Sequence, residues 1–263
     1  MKSQSAIEFM TIIAIGLILI GTASFFGTDY ISAYLRSADV NAVRQTVNSL
    51  VSGVNIVYAQ GRGAVTEAYG SIPEKVDRSG TYAYDNQINY RFGENGKIDI
   101  YDNTKTNIFG TLPTRQGRYR FFIFPQEFEI IEKGHDLKID GIFLCVEDMD
   151  ISCIVTTIFD KDYNFENEIV KGENATYIIG LLKKTDEGEI EGIVHEINIQ
   201  IYYPNKTIHS DYTIHTESFH ESFLHYANTI ENIQEEGVWI VSAMYPETGI
   251  VGAAYFKVKS PFV

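Results

Sequence analysis

The first thirty residues constrain this chain more than any others. From Phe9 to Thr28 no charged side chain occurs, and Ile, Leu and Phe dominate. The run is about 20 residues long, enough to cross a bilayer as one helix. A chain carrying it must bury it in lipid, in partners or in its own core. Lys2 and a carboxylate, Glu8, precede it. A charge at the margin of an apolar helix is costly to desolvate and implies a specific partner.

Beyond this run, Val40, Val43, Val47, Leu50, Val51, Val54, Val57 and Tyr58 recur at spacings of three and four, which predicts one buried helical stripe. Ser37, Asp39, Asn41, Arg44, Gln45 and Asn48 take the other face. The first proline is Pro73, and Gly61 and Gly63 supply a stop. The pattern predicts a helix from Ser5 to about Gln60, roughly 80 Å long at 1.5 Å per residue. It is apolar all round over 9–28 and amphipathic over 33–60.

The segment Lys2-Ser3-Gln4-Ser5-Ala6-Ile7-Glu8-Phe9, with the apolar helix behind it, resembles the class III (prepilin) signal peptide of archaeal type IV pilins and pilin-like proteins. The family pattern is a short basic leader, a small residue at the cut, Gln, and an acid at the fifth mature position. Ser3 stands where Gly is usual, and Ala6 where Ser is often found. The resemblance covers Lys2 to about Tyr30. It implies a leader, residues 1–3, removed by a prepilin peptidase between Ser3 and Gln4. It also implies assembly with other pilin subunits through Glu8, Phe9, Ile12, Ile13 and Leu17, the Gln4 amine of a neighbour pairing with Glu8. The precursor would sit in the cell membrane with its amino terminus inside, and the mature chain in an extracellular surface filament, as a structural, minor or adhesive subunit.

The same residues carry other readings. Ser5 and Glu8 fit a helix capping box. A secretory signal peptide would be cut near Ala23. A stationary membrane anchor would hold an extracellular binding module against the cell envelope or a glycan.

The remainder predicts an α+β chain: the amino-terminal helix (4–62), a small β-sheet domain (63–125) and an immunoglobulin-like antiparallel β-sandwich (126–263). Thr81 to Phe92 and Lys97 to Tyr101 read as a hairpin, and Arg118 to Phe124 as a strand ended by Pro125. Strand-like alternation recurs at Asp140–Val146, Ser152–Phe159, Ala175–Leu182, Val194–Tyr203 and Ser218–Ile230. Gly237–Tyr245 and Gly249–Lys259 read as a closing hairpin, with Trp239 in the core.

Net charge is −14, an acidity that repels nucleic acid and excludes it as a partner. Asn174-Ala175-Thr176 and Asn205-Lys206-Thr207 are N-glycosylation acceptors if the domain lies outside. Cys145 and Cys153 flank an acidic turn, and either a disulfide or two reduced strand residues fits.

No phosphate loop, nucleophile elbow or paired zinc motif occurs, so no catalytic residue, cofactor or metal is expected. Asp160-x-Asp162-x-Asn164 opens like a calcium loop, but Phe165 and Lys171 stand where Gly and Glu are required. His209, His215, His220 and His225, with Asp211, Glu217 and Glu221, read as solvated polar residues; a metal site there would need cross-strand partners.

Overall fold

The computed structural model describes residues 2–93, 98–132, 134–147, 153–165, 167–184, 190–192, 196–215 and 224–261. Within these, the side chains of 2–12, 19–35, 131–132, 183–184, 190–192, 215 and 224 are not described. Two compact units are present, Met1–Asn41 and Ala42–Val263.

The helices are α1 (Lys2–Gln60) and a 3-10 turn, η1 (Arg78–Gly80). The strands are β1 (Thr66–Ile72), β2 (Tyr82–Phe92), β3 (Ile98–Pro113), β4 (Gly117–Glu132), β5 (His135–Val146), β6 (Cys153–Phe159) and β7 (Glu168–Val170). Then follow β8 (Ala175–Lys184), β9 (Ile190–Gly192), β10 (Glu196–Tyr202), β11 (Ile208–His215), β12 (Leu224–Ile230), β13 (Gly237–Tyr245) and β14 (Ile250–Lys259).

The expected α+β class is overturned. The described chain is mainly β, fourteen strands against one three-residue turn and α1, and it forms a β-sandwich. One sheet has ten strands in the order β1-β4-β5-β3-β14-β13-β10-β11, with β2 paired to β3 and β7 to β14. The other has four, β12-β8-β6 with β9 on β8. Strands expected in two successive β domains therefore share one sheet, and the boundary placed at 125/126 falls inside β4. The ladders are not all antiparallel either: β3 runs parallel to β5, and β14 to β7.

The physical cause lies in β3 and β4. Each is 16 residues long, well beyond the stretches whose alternation is visible. Pro125 does not end β4 but pairs with Ile142 of β5. β1 reaches only to Ile123, so Pro125 lies just past a neighbour's end, where one side of the strand is an edge and proline is tolerated. The far end of β3 then pairs with β14 at Thr111–Pro113, joining the first half of the chain to the last.

The two sheets come into contact along this seam. Thr111 Oγ1 accepts from the Ile154 N–H at 2.6 Å, and Thr156 Oγ1 donates to Gly252 O at 3.0 Å. A Cβ on Gly252 would come 2.1 Å from Ile154 O, so only glycine fits beneath β6. On the opposite face, Tyr202, Ile240, Val251 and Ala253 form a cluster covered by Tyr82, Met244 and Tyr255. Covered on both faces, β13 is buried from Trp239 to Ala243 without alternation.

Within Ala42–Val263, α1 lies on β1 and β4. Val43, Val47, Leu50, Val51, Val54 and Val57 are buried, whereas Tyr58, expected in the same stripe, is exposed. Gly53 lets the helix approach: a Cβ there would sit 2.5 Å from Ile123 Cδ1. Thr46 Oγ1 accepts from the Ser71 N–H of edge strand β1 at 3.0 Å, and Asn55 Oδ1 accepts from the Lys105 N–H at 3.1 Å. These bonds satisfy backbone donors that would otherwise face outward.

Candidate functional site

The backbone of Ser3, Gln4, Glu8, Phe9 and Ile12 lies in α1, but their side chains are outside the described residues. So is most of the run 9–28. In its described part, 13–18, large apolar side chains are exposed: Ile13 42%, Ile15 53%, and Leu17 and Ile18 65% each. Among the described residues no helix is long and apolar enough to cross a membrane.

A second feature is a groove of about 1070 Å³ between the amphipathic part of α1 and strands β1 and β4. Ala42, Gln45, Thr46 and Ser49 form its helix wall; Tyr69, Gly70, Ser71, Arg118, Tyr119, Arg120 and Glu147 form the rest. Gly70 makes the close approach possible, since a Cβ there would meet Thr46 Cγ2 at 2.4 Å. Arg120 binds both oxygens of Glu67 and reaches Glu147 at 3.1 Å. Tyr69 donates to Glu67 at 3.0 Å, which raises the pKa of its phenol. The Glu147 carboxylate is thus held by a cation, and among the described residues no His, Cys or Asp lines the groove. It presents Tyr69 and Arg118 as exposed side chains for contact.

The sequence reading missed this groove. A signal was present: a glycine inside a short strand marks a place where another element comes near. Tyr69-Gly70 is such a place.

Cys145 and Cys153 are joined by a disulfide, with Cα atoms 4.7 Å apart. The bond links β5 of the large sheet to β6 of the small one; the acidic turn expected between them falls on 148–152, outside the described residues. Asn174 and Asn205 are both exposed. Asn174 Oδ1 accepts from the Asn232 N–H at 2.9 Å, and Asn205 Oδ1 from the Thr207 N–H at the same distance.

The calcium-like segment folds on itself. Asp160 Oδ1 accepts from the N–H groups of Asp162 at 2.9 Å and Asn164 at 2.8 Å, while Phe165 joins Tyr84, Phe109 and Phe159 in an aromatic cluster. The spacing of polar residues there serves a turn.

His209 lies on β11 against Tyr203 and Trp239, with ring centroids 4.9 and 5.3 Å away; His225 lies on β12 of the other sheet. The His215 side chain, Glu217, His220 and Glu221 lie outside the described residues. Among the described residues no three His, Cys, Asp or Glu side chains are placed to hold a metal ion. Trp239 is buried and donates from Nε1 to Glu235 O at 2.9 Å.

Among the described residues one charged side chain, that of Arg78, is buried. Arg78, on η1, donates from Nε to Ser242 Oγ at 2.7 Å, from Nη1 to Asn198 Oδ1, and from Nη2 to the carbonyls of Asn198 and Ser242. Burial lowers its pKa to about 10, opposed by Tyr202 and Asp211. Its nearest acceptors are neutral. Asp211 stands one step away, accepting from Asn198 Nδ2 and Gln200 Nε2 at 2.8 Å each. The arrangement fastens η1 to β10 and β13; it is structural.

No protein-family model matches this chain, and no curated protein matches it. Among solved structures, trypsin-activated α2-macroglobulin from Escherichia coli is similar with TM-score 0.31 and 9% identity, over 75% of this chain and 17% of that one. The native E. coli α2-macroglobulin gives TM-score 0.29 and 9% identity, over 75% of this chain and 16% of that one. Fibronectin(III)-like modules of Clostridium thermocellum CbhA give TM-score 0.20 and 9% identity, over 76% and 87%. At these scores none of the three bears on fold detail or activity.

Proposed function

We propose that the chain is a non-catalytic, pilin-like structural subunit of an archaeal type IV pilus-like surface filament. It waits in the cell membrane as a precursor, is cut by a prepilin peptidase between Ser3 and Gln4, and assembles through the amino-terminal part of α1. The observation carrying this reading is the contrast along α1. Between Val43 and Val57 the apolar stripe is buried by the chain's own strands, whereas Ile13, Ile15 and Leu17 are exposed. Clustered apolar side chains left in the open mark a surface meant for lipid or for partners. Lipid tails and neighbouring apolar helices solvate such residues about equally, so one segment serves both the membrane and the filament. The Cys145–Cys153 disulfide suits an oxidising, exported location.

A stationary membrane-anchored binding module is the second reading. The groove beside Tyr69 and Arg118 favours it, because both of these side chains are exposed to a partner. The two readings part at Glu8, which a stationary anchor does not need. Among apolar helices an unpaired carboxylate is costly, so a filament requires a partner amine for it. Glu8→Gln in the native cell tests this. The filament reading expects an intact, oxidised head and a several-fold loss of the chain from sheared filaments relative to the membrane. Unchanged partition between the two fractions would leave Glu8 a helix cap and favour the anchored module.

A further inference from the structure

The two sequons are chemically alike, yet the fold treats them differently. Asn174 precedes β8 directly. Its Ala175 and Thr176 are buried, and Thr176 Oγ1 is hydrogen-bonded to Thr229 Oγ1 across the β8–β12 ladder at 3.2 Å. The hydroxyl that defines an acceptor sequon is therefore committed within the sandwich.

Asn205 lies in the turn between β10 and β11. Tyr203 N–H donates to Thr207 O at 2.9 Å, and Lys206 N–H to Tyr203 O at 2.9 Å. Lys206 is left-handed, with φ 69°. This is a type I turn closed by a bulge, five residues from Tyr203 to Thr207. Asn205 and Thr207 are both exposed. Asn205 Oδ1 accepts from the Thr207 N–H at 2.9 Å and from Thr207 Oγ1 at 2.6 Å. The amide nitrogen, Nδ2, takes no part in either bond. Tyr203 stands opposite Thr207 across the turn, with its ring supported by Trp239 and His209, both at 4.9 Å between centroids. An aromatic ring two residues before the asparagine and a threonine two after it thus share one turn with the acceptor amide.

We propose that Asn205 carries an N-linked oligosaccharide seated on the Tyr203 ring, while Asn174 stays unmodified. The site rests on the exported location argued above. The co-reactant is an oligosaccharide linked through phosphate to a membrane lipid, delivered by a membrane-bound transferase. Asn205 Nδ2 attacks the anomeric carbon, and the bond from that carbon to the phosphate oxygen breaks. The lipid phosphate leaves with the electron pair, and one Nδ2 proton passes to a base of the transferase. The first sugar then lies between Thr207 and the Tyr203 ring, whose apolar face suits the C–H face of a pyranose. A glycan held there stiffens the turn that closes the β10–β11 hairpin at the edge of the ten-stranded sheet.

The test is peptide mapping by mass spectrometry of the full-length chain from native cells, with external protease added to intact cells to report location. The expected result is a sugar mass on the Asn205 peptide and none on the Asn174 peptide. It should be lost in Asn205→Gln and Thr207→Ala and kept in Thr207→Ser. Enzymatic or chemical removal of the sugar should lower the thermal midpoint of the native chain and of Tyr203→Phe, and leave that of Tyr203→Leu unchanged. An unmodified Asn205 on a chain cut by external protease overturns the site and leaves the exported reading intact. An unmodified Asn205 on a protected chain overturns both. Sugar on Asn174 overturns the selection between the sequons, and an unshifted midpoint in the native chain overturns the Tyr203 seat.

Discussion

At the scale of single residues, Arg78 ties the first half of the chain to the last. Its guanidinium meets four acceptors supplied by Asn198 and Ser242, from β10 and β13. Hydrogen bonds from a charged group are the stronger ones, and acceptors abandoned in the interior carry a desolvation cost. Arg78→Ala is expected to destabilise the Ala42–Val263 unit by about 2–3 kcal/mol. Arg78→Lys should recover little, because an ammonium lacks the planar fork that reaches both strands. Urea unfolding followed by Trp239 fluorescence checks both. Three carboxylates with lowered pKa values contribute to the acid limb of stability. Asn198 and Gln200 hold Asp211 below the ordinary carboxylate range, and Lys138 does the same for Glu127. For Asp99, burial pushes upward, but the bonds from Arg91 and Asn89 outweigh it. A carboxylate with a depressed folded pKa stabilises fully above its unfolded pKa near about 4 and loses that contribution as pH falls through the folded value. The urea midpoint should therefore stay level from neutral pH to about 5 and fall below about 4, less steeply in Asp211→Asn.

At the scale of elements, α1 between Val43 and Val57 covers the strands that β1 and β4 contribute. Leu50 is fully buried, so Leu50→Ala is expected to cost about 2–5 kcal/mol, read as a lower urea midpoint at unchanged slope. A fragment starting at Val65 should aggregate, while one from Ala33 to Val263 unfolds cooperatively. A cooperative, soluble Val65–Val263 would mean that the helix is no part of the head's core. The valine stripe is legible in the sequence because helical spacing is a local signal. So is the β13–β14 hairpin, because Gly249 at φ 74° marks its turn. What escapes is non-local. β1 and β11 are short edge strands with polar or Gly-interrupted patterns, and they owe their existence to the neighbour that pairs with them. The parallel β3–β5 pairing and the passage of β4 through Pro125 depend on where other strands stop. No spacing rule carries that information, so two successive domains are expected where one interleaved sheet forms. The candidate site divides in the same way. The sequons, the cysteine pair and the apolar run are visible as strings of residues. The Tyr69–Arg120 groove exists only once α1 lies across β1 and β4.

At the scale of the whole molecule, the proposal is of a β-sandwich head belonging to a chain whose amino-terminal apolar segment is satisfied only by lipid or by other subunits. The acidic balance, −14 overall, keeps such heads soluble and apart from anionic surfaces. The central claim is that this segment is processed for assembly. The mature amino terminus of the chain in sheared native filaments and membranes, determined by mass spectrometry, tests it most directly. The account predicts a chain beginning at Gln4 with its apolar segment retained and Glu8 as its fifth residue. A chain beginning at Met1, or one cut after Ala23 and lacking the segment, would contradict it.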